Sequence, residues 1–224
     1  MNDKQLVAVH AASLVQNDML VGLGTGSTAN FFIDELARRQ KEEGLKVITV
    51  ASSTVSAQRA QALKLPMIAL EHIKEIDVYV DGADEITPDL TLLKGRGSDL
   101  VKEKLLAKAA KAFLVVADKS KLVTNIGQNF PIPIEVIPFA WQLTLHSLEK
   151  LGAQGTLRPN AAKDGFWVTS HGSYVLDMQF DPILDAATLN AMINNVPGVV
   201  EHGIFYQCAS TILVADNGNL STIQ

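Results

Sequence analysis

Through its first half the chain alternates short apolar runs with amphipathic stretches, and this alternation constrains its fold more than any other feature. Residues 19–24, Met-Leu-Val-Gly-Leu-Gly, have the pattern of a short buried strand that ends in glycines. Residues 28–43 read as a helix with Phe31, Phe32, Leu36 and Ala37 inward and Arg38, Arg39, Lys41 and Glu42 outward. An earlier helix follows from Leu6, Val9, His10, Ser13 and Leu14. Further strands are predicted at 46–50, 67–70, 76–80 and 112–117, and further helices at 53–63, closed by Pro66, and at 98–111. Strands that alternate with helices need crossover connections, so the sheet is expected to be mostly parallel with both faces covered.

The pattern changes near Asn125. Phe130-Pro-Ile-Pro-Ile-Glu-Val-Ile-Pro places three prolines around a short extended run. Proline cannot donate to a sheet ladder, so this run is expected to be an edge strand or a crossing between domains. Beyond it the spacing predicts a helix at 141–151, strands near 154–157, 166–169 and 174–179, a helix at 185–193 and a strand near 199–205. The last apolar run, 211–215, is free to return to the first sheet. The expected architecture is α/β: a doubly wound, mostly parallel, Rossmann-like domain of residues 1–127 plus about 206–224, with a smaller α+β domain of 128–205 inserted. Trp141 and Trp167 are expected to pack the smaller domain, and Cys208 to lie in a buried strand.

Composition excludes several classes of function. The 224 residues are 47% apolar and 19% charged, ordinary values for a packed globular chain. With 19 Lys and Arg against 24 Asp and Glu the net charge is −5, which gives no general attraction to nucleic acid or anionic lipid. A single cysteine leaves no intramolecular disulfide and no cysteine-based zinc site, and fits a reducing compartment. No apolar run approaches the roughly 18 residues of a spanning helix. The start, Met1-Asn-Asp-Lys-Gln, lacks the order of a secretion signal. The expectation is a soluble, cytoplasmic protein without nucleic-acid or membrane partners.

Three motifs could carry chemistry. Gly22-Leu-Gly-Thr-Gly-Ser-Thr lies between a strand and a helix. Glycines bare backbone N–H groups, the helix start adds partial positive charge, and the hydroxyls of Thr25, Ser27 and Thr28 add donors, a combination suited to phosphate. A dinucleotide fingerprint would need glycine at Ser27 and an acid at the end of the next strand, and a nucleotide P-loop would need a Gly-Lys pair; neither is present. The same residues would also make a plain glycine turn with a hydroxyl cap.

Asp81-Gly82-Ala83-Asp84-Glu85 follows an apolar strand directly. The carboxyl ends of parallel strands are where open α/β sheets place ligands. Two acids three apart could aim at one pocket as acid and base, hold a divalent metal, or punctuate a polar turn. The five histidines, at 10, 72, 146, 171 and 202, show no ligand spacing, so no metal is expected.

In Lys94-Gly95-Arg96-Gly97-Ser-Asp-Leu-Val-Lys-Glu103 a second Gly-x-Gly turn feeds a helix. On a helical wheel Leu100, Glu103, Leu106, Ala107 and Ala110 share a stripe, and Lys104, Lys108 and Lys111 another. A carboxylate among apolar neighbours is pushed toward its neutral form, and a nearby lysine pushes it back, which is how a general base is tuned. Glu103 would equally serve as a flank partner of Lys102, or of Lys104 and Lys108.

Together these motifs resemble those of the A-type ribose-5-phosphate isomerases. The resemblance extends to Tyr79-Val-Asp-Gly-Ala-Asp-Glu-Ile, Lys102-Glu-Lys, Val116-Ala-Asp-Lys-Ser-Lys, the proline-rich run from Phe130 and Ile193-Asn-Asn-Val-Pro-Gly-Val-Val-Glu, in the same order over nearly the whole chain. It implies an aldose–ketose isomerase that interconverts D-ribose 5-phosphate and D-ribulose 5-phosphate through an enediolate, without cofactor, in the non-oxidative pentose phosphate pathway. It implies that Thr25, Gly26, Ser27 and Thr28 bind phosphate, that Asp81, Gly82, Ala83, Asp84, Lys94, Gly95, Arg96 and Gly97 line the sugar site, and that Glu103 is the general base. Lys121 belongs to the substrate site, and Lys4 falls where the family often has a phosphate-contacting lysine. Lys94 is the candidate for the developing oxyanion, Asp81 for ring opening and Asp84 for orienting hydroxyls. A homodimer or homotetramer is implied as well. The chain departs from the family at Ser98-Asp99-Leu-Val, where Asp99 adds an acid, at Thr169-Ser-His-Gly-Ser and at Cys208-Ala-Ser-Thr.

Two other readings stay open at this level. One is a sugar-phosphate sensor domain, although such regulators carry a helix-turn-helix segment ahead of a sheet that here begins by Met19. The other is an acyl-CoA transferase-like or amino-sugar isomerase-like relative.

Overall fold

A computed structural model of the chain describes residues 2–97, 99–181 and 184–224. The chain forms two compact units, one of Met1–Ala83, Lys102–Lys121 and Cys208–Gln224, the other of Asp84–Val101 and Leu122–Gln207. The elements are, in chain order, α1 (Asp3–Ser13), β1 (Leu20–Leu23), α2 (Ser27–Glu43), β2 (Ile48–Ala51), α3 (Thr54–Ala62), β3 (Ile76–Asp81), β4 (Glu85–Ile86), β5 (Leu92–Leu93), α4 (Leu100–Ala109), β6 (Ala110–Asp118), β7 (Ile132–Val136), α5 (Trp141–Lys150), β8 (Gln154–Leu157), β9 (Tyr174–Gln179), α6 (Ala186–Asn194), β10 (Val199–His202), β11 (Ile204–Phe205), β12 (Thr211–Asp216) and β13 (Asn219–Ile223).

The first unit holds a six-stranded sheet of order β13-β12-β6-β3-β1-β2. All its pairings are parallel except that of β12 with the edge strand β13. From β1 the chain moves to β2 on one side and then to β3 on the other, so the order reverses between β1 and β3. The helices are specified locally. Asn2 caps α1 by accepting from the Gln5 N–H at 2.8 Å, Ser53 caps α3 through the Ser56 N–H, and Gly44 ends α2 in the left-handed conformation at φ 73°. The apolar stripe of α2 buries Phe32, Ile33 and Leu36 in a core shared with Val7, Ala8 and Ala11 of α1 and with Val21, Leu23, Val78 and Val80 of the sheet. Its solvent face carries Arg38, ion-paired with Glu35, Glu42 and Glu43.

The second unit holds a four-stranded antiparallel sheet, β10-β7-β9-β8, and a three-stranded one, β11-β5-β4. Its core joins Ile132, Ile134 and Val136 to Leu148, Leu176, Met178, Leu189 and Ile193. This unit is larger than the expected 128–205, because β4 and β5 pair with each other and β5 pairs with β11.

Other expectations are corrected. The proline-rich run is not an edge strand: β7 lies between β10 and β9. Pro133 is accommodated because its carbonyl accepts from the Gly203 N–H at 2.8 Å; its nitrogen therefore faces the same side, beyond the last ladder residue of β10. Residues 67–70 form no strand; Met67 makes one bridge to Thr49. The expected strand at 166–169 is reduced to bridges at Phe166 and Val168, and that at 199–205 is broken into β10 and β11, which belong to different sheets. Helix α4 is shorter than 98–111, because Ala110 already pairs with Ile76 in the sheet, and Ser98 lies outside the described residues. On α4 Lys104 is buried and Leu105 exposed, so the lysine stripe is not wholly outward. Trp167 is exposed, whereas Trp141 packs on the core. Cys208 is half-buried and in no strand.

Candidate active site

In open α/β sheets, ligands bind beyond the carboxyl ends of the strands where strand order reverses. That point lies between β1 and β3, and the two strands run there into Gly24-Thr25-Gly26 and into Asp81-Gly82. Gly26 caps α2 at φ 109°, a conformation L side chains rarely adopt, and a Cβ on it would meet only open space. Gly24 is required for another reason: a Cβ there would overlap the Asp81 carboxyl group and lie 2.6 Å from the Asp81 Cα.

Asp81 is fully buried and held from two sides. Its Oδ1 accepts from the N–H groups of Thr25 at 3.0 Å and Gly82 at 2.8 Å, and its Oδ2 accepts from the Tyr79 hydroxyl at 2.5 Å. Tyr79 is itself fully buried. Burial raises its pKa well above the ordinary phenol value, and the negative charges of Asp81 and then Glu103 push the same way. Glu103, only 4% exposed on α4, therefore shares this patch of the first unit with Asp81, through Tyr79.

Thr25 turns its polar groups toward the protein. Its N–H is spent on Asp81, and its hydroxyl turns inward to those of Ser52, Ser53 and Ser56, at 3.0, 2.8 and 3.2 Å. Ser27 and Thr28 open α2. Ser27 Oγ accepts from Lys4 Nζ at 3.1 Å. Lys4 is placed by its neighbour on α1, since Asp3 accepts from the N–H groups of Asn217 and Gly218 in the β12–β13 turn at 3.0 and 2.8 Å. Lys121 joins the same side of the unit. Burial pushes the Asp118 carboxyl up, but hydrogen bonds from Ser120 and the charges of Lys121 and Lys4 outweigh it, so Asp118 lies below its ordinary value.

The second unit carries Asp84, Lys94, Gly95, Arg96 and Gly97. Lys94 is buried at 4% exposure, its N–H donates to the Gly203 carbonyl at 2.9 Å, and its Nζ lies 5.6 Å from the Phe205 ring centre. Gly95 stands at φ 88°, where a Cβ would come within 2.5 Å of Leu100 Cβ, so the turn after Lys94 admits only glycine. Arg96 lies over the Phe130 ring at 3.9 Å and reaches Asp84 Oδ1 at 3.7 Å. Gly97 is exposed, and Gly82 and Ala83 are half-buried in the first unit.

Other residues support this arrangement, Arg158 and Asp177 among them lying outside every motif. Buried Glu85 accepts from the N–H groups of Gly127, Asn129 and Phe130 at 2.6, 2.5 and 3.1 Å and so fixes the ring beneath Arg96. Arg158, paired with Asp177 at 2.9 and 2.5 Å, donates to the Arg96 carbonyl. Asp99 accepts from Ser170 at 3.4 Å within the second unit. Among the described residues no cluster of His, Cys, Asp and Glu fits a metal ion, and no helix is long and apolar enough to cross a membrane.

The sequence model of ribose 5-phosphate isomerase A (phosphoriboisomerase A) matches residues 48–219. The chain belongs to the ribose 5-phosphate isomerase A family. Relatives under that name are 44% identical in Thermosynechococcus vestitus, over 95% of this chain and 91% of the relative, and 42% identical in Methanothermobacter thermautotrophicus, over 100% and 98%. The solved ribose 5-phosphate isomerase A of Methanocaldococcus jannaschii superposes with a TM-score of 0.93 at 39% identity, covering 99% of this chain and 97% of that one. A D-ribose-5-phosphate isomerase in complex with phospho-erythronic acid superposes with a TM-score of 0.95 at 36% identity, covering all of both chains. As a member of the ribose 5-phosphate isomerase A family, this chain is an isomerase of ribose 5-phosphate.

Proposed function

We propose that the reaction proceeds through an enediolate, with Glu103 as the base that moves the proton between C1 and C2. The observation that carries this reading is the grouping, in the first unit, of a phosphate-suited turn with buried carboxylates: Lys4 stands 3.1 Å from Ser27 Oγ, and Asp81 and Glu103 both act on Tyr79. A phosphate held by the start of α2, by Ser27 and Thr28 and by Lys4 and Lys121 supplies remote binding energy that fixes the sugar for proton transfer. Removing a proton from C2 of the open aldose leaves negative charge on O1; moving the O2 proton to O1 and returning the carbon-bound proton to C1 gives the ketose. By its match to the family lysine, Lys94 is assigned to that developing charge, where a fixed cation contributes most in the transition state. Asp81 is assigned to ring opening, Asp84 to orienting sugar hydroxyls, and the backbone at Gly82, Ala83, Gly95, Arg96 and Gly97 to lining the sugar. No cofactor takes part.

An aldonic acid phosphate, the class of ligand bound to the relative, carries a planar carboxylate where the enediolate forms. It should compete with ribose 5-phosphate here. A homodimer or homotetramer working in the cytoplasm completes the reading.

The test is exchange of the C2 proton of ribose 5-phosphate with deuterated water, followed by NMR, in the parent and in Glu103→Gln. The substitution keeps size and packing but cannot take a proton. Turnover should fall by on the order of 10²–10⁴, the usual share of general acid–base catalysis, with exchange nearly lost and binding kept. Undiminished exchange in Glu103→Gln would move the base to another carboxylate.

A further inference from the structure

Tyr79 reads in the sequence as one more core residue of an apolar strand. Its surroundings say more. Its ring stacks on Phe113 of β6, with centroids 4.8 Å apart and planes at 25°. Tyr79 and Asp81 are two residues apart on β3, so their side chains leave the strand on one face, and this carries the phenol hydroxyl to the carboxylate. The other carboxylate oxygen is taken by the backbone of the phosphate turn, through the Thr25 N–H, and by Gly82. The Ser52 hydroxyl lies 3.0 Å from Thr25 Oγ1, beside the same turn. The phosphate turn thus reaches Asp81 directly, through its backbone.

We propose that Tyr79 is a positioning residue for sugar-ring opening: its hydroxyl holds Oδ2 of Asp81 in the orientation in which that carboxylate moves the ring-opening proton, while the Thr25 N–H ties Oδ1 to the phosphate turn. The proposal rests on the assignment of Asp81 to ring opening. In that step the O1 hydroxyl gives up its proton, the C1–O4 bond breaks as C1 and O1 form a carbonyl, and O4 gains a proton; nothing is oxidised or reduced. An ionised carboxylate oxygen accepts more than one hydrogen bond, so Oδ2 can hold Tyr79 and still exchange a proton with the sugar.

Ribulose 5-phosphate makes the test specific, because its O5 carries the phosphate and it reacts without a furanose to open. Exchange of its C1 proton with deuterated water needs the enediolate step only. Conversion of ribose 5-phosphate needs ring opening as well. Tyr79→Phe keeps the ring and its stacking on Phe113. It should lower kcat for conversion of ribose 5-phosphate by about 10- to 100-fold, the equivalent of one hydrogen bond to a charged group, and leave C1 exchange of ribulose 5-phosphate within about two-fold of the parent. Asp81→Asn, run alongside, should show the same split more strongly.

If Asp81→Asn shows the split and Tyr79→Phe does not, the role of Tyr79 is overturned and ring opening by Asp81 stands. If conversion and exchange fall together in both variants with a raised KM, Asp81 and Tyr79 form a clamp of the phosphate turn alone, and both assignments fall. Should Tyr79→Phe not fold, Phe113→Leu loosens the stacking that sets the Tyr79 ring and reads the same link from its other end. It should split conversion from exchange by about two- to ten-fold, and no split there overturns the proposal.

Discussion

Gly24→Ala is the smallest change that tests how the phosphate turn and Asp81 are built into one another. The added methyl carbon would overlap the Asp81 carboxyl group and stand 2.6 Å from the Asp81 Cα, where contact between carbon atoms begins at about 3.5 Å. Turning the carboxyl away cannot relieve the backbone contact, so β1 and β3 must also part. They are locked there, because the Gly24 N–H donates to the Val80 carbonyl at 2.9 Å and Leu23 pairs with Val80. Overpacking of this kind costs about 1–3 kcal/mol. The displaced carboxyl also gives up at least one of its bonds from Thr25, Gly82 and Tyr79, about 1.5–3 kcal/mol for a charged acceptor. A loss of about 3 kcal/mol or more is expected, with turnover down by at least about 100-fold because the acid and the turn are displaced together.

The assay is urea unfolding followed by far-ultraviolet circular dichroism beside tryptophan fluorescence. Trp141 and Trp167 both lie in the second unit, so fluorescence reports that unit and the dichroism reports both. The dichroism transition should move to lower urea and separate from the fluorescence transition. Gly26→Ala is the control, since its Cβ meets nothing and only its φ of 109° is at issue, worth about 1–3 kcal/mol. A Gly24→Ala protein within about 1 kcal/mol of the parent, with parental turnover, would refute the close approach as the reason for glycine.

Replacing Ser27 and Thr28 together by alanine removes hydroxyl donors but leaves the backbone of α2. KM for ribose 5-phosphate should rise by the equivalent of about 1–3 kcal/mol, inorganic phosphate should compete less well, and kcat should change little; unchanged binding would place the phosphate elsewhere. Glu135 on β7 tests the electrostatics of the second unit. Burial pushes its carboxyl above the ordinary range, against hydrogen bonds from Thr169 and Ser173, so the folded state holds the proton more tightly than the unfolded one. Stability is therefore lost as pH rises above the ordinary glutamate range, about 4.3, and Glu135→Gln should gain on the parent in urea midpoints as pH rises from there; a gain confined to acid would refute the sign.

What the sequence made legible follows from physical range. The parallel sheet was readable because each strand is a buried apolar run next to a helix with a stripe, and both patterns repeat over enough residues to be distinct. The turn at Gly24–Thr28 and the acid at Asp81 were readable as candidates because each sits at an element boundary, where composition changes abruptly, and Glu103 because it interrupts the apolar stripe of α4. The two-residue strands β4, β5 and β11 were not, since a pair of residues has no period; they exist because the chain brings Leu92 and Leu93 opposite Ile86 and Glu85 on one side and Phe205 and Ile204 on the other. Pro133 misled for a related reason. Its missing donor excludes a central strand only where a neighbour continues, and β10 has ended.

The same reasoning explains why Tyr79 escaped notice while Asp81 did not. A carboxylate after an apolar strand is conspicuous because its burial is costly without donors. A tyrosine inside a strand is unremarkable, since its ring satisfies the core and only its hydroxyl needs a partner. Which partner it takes is decided by register: Tyr79 lies opposite Gly22 of β1 and Phe113 of β6, and the absent side chain of Gly22, where a Cβ would come 2.7 Å from Tyr79 Cδ2, makes room for the ring. The glycines at 22 and 24 thus act as a pair, the first admitting the ring that reaches Asp81 and the second admitting the carboxylate that receives it. A glycine-rich strand end that looks from sequence like a phosphate turn is, in three dimensions, also the mould for the acid beside it.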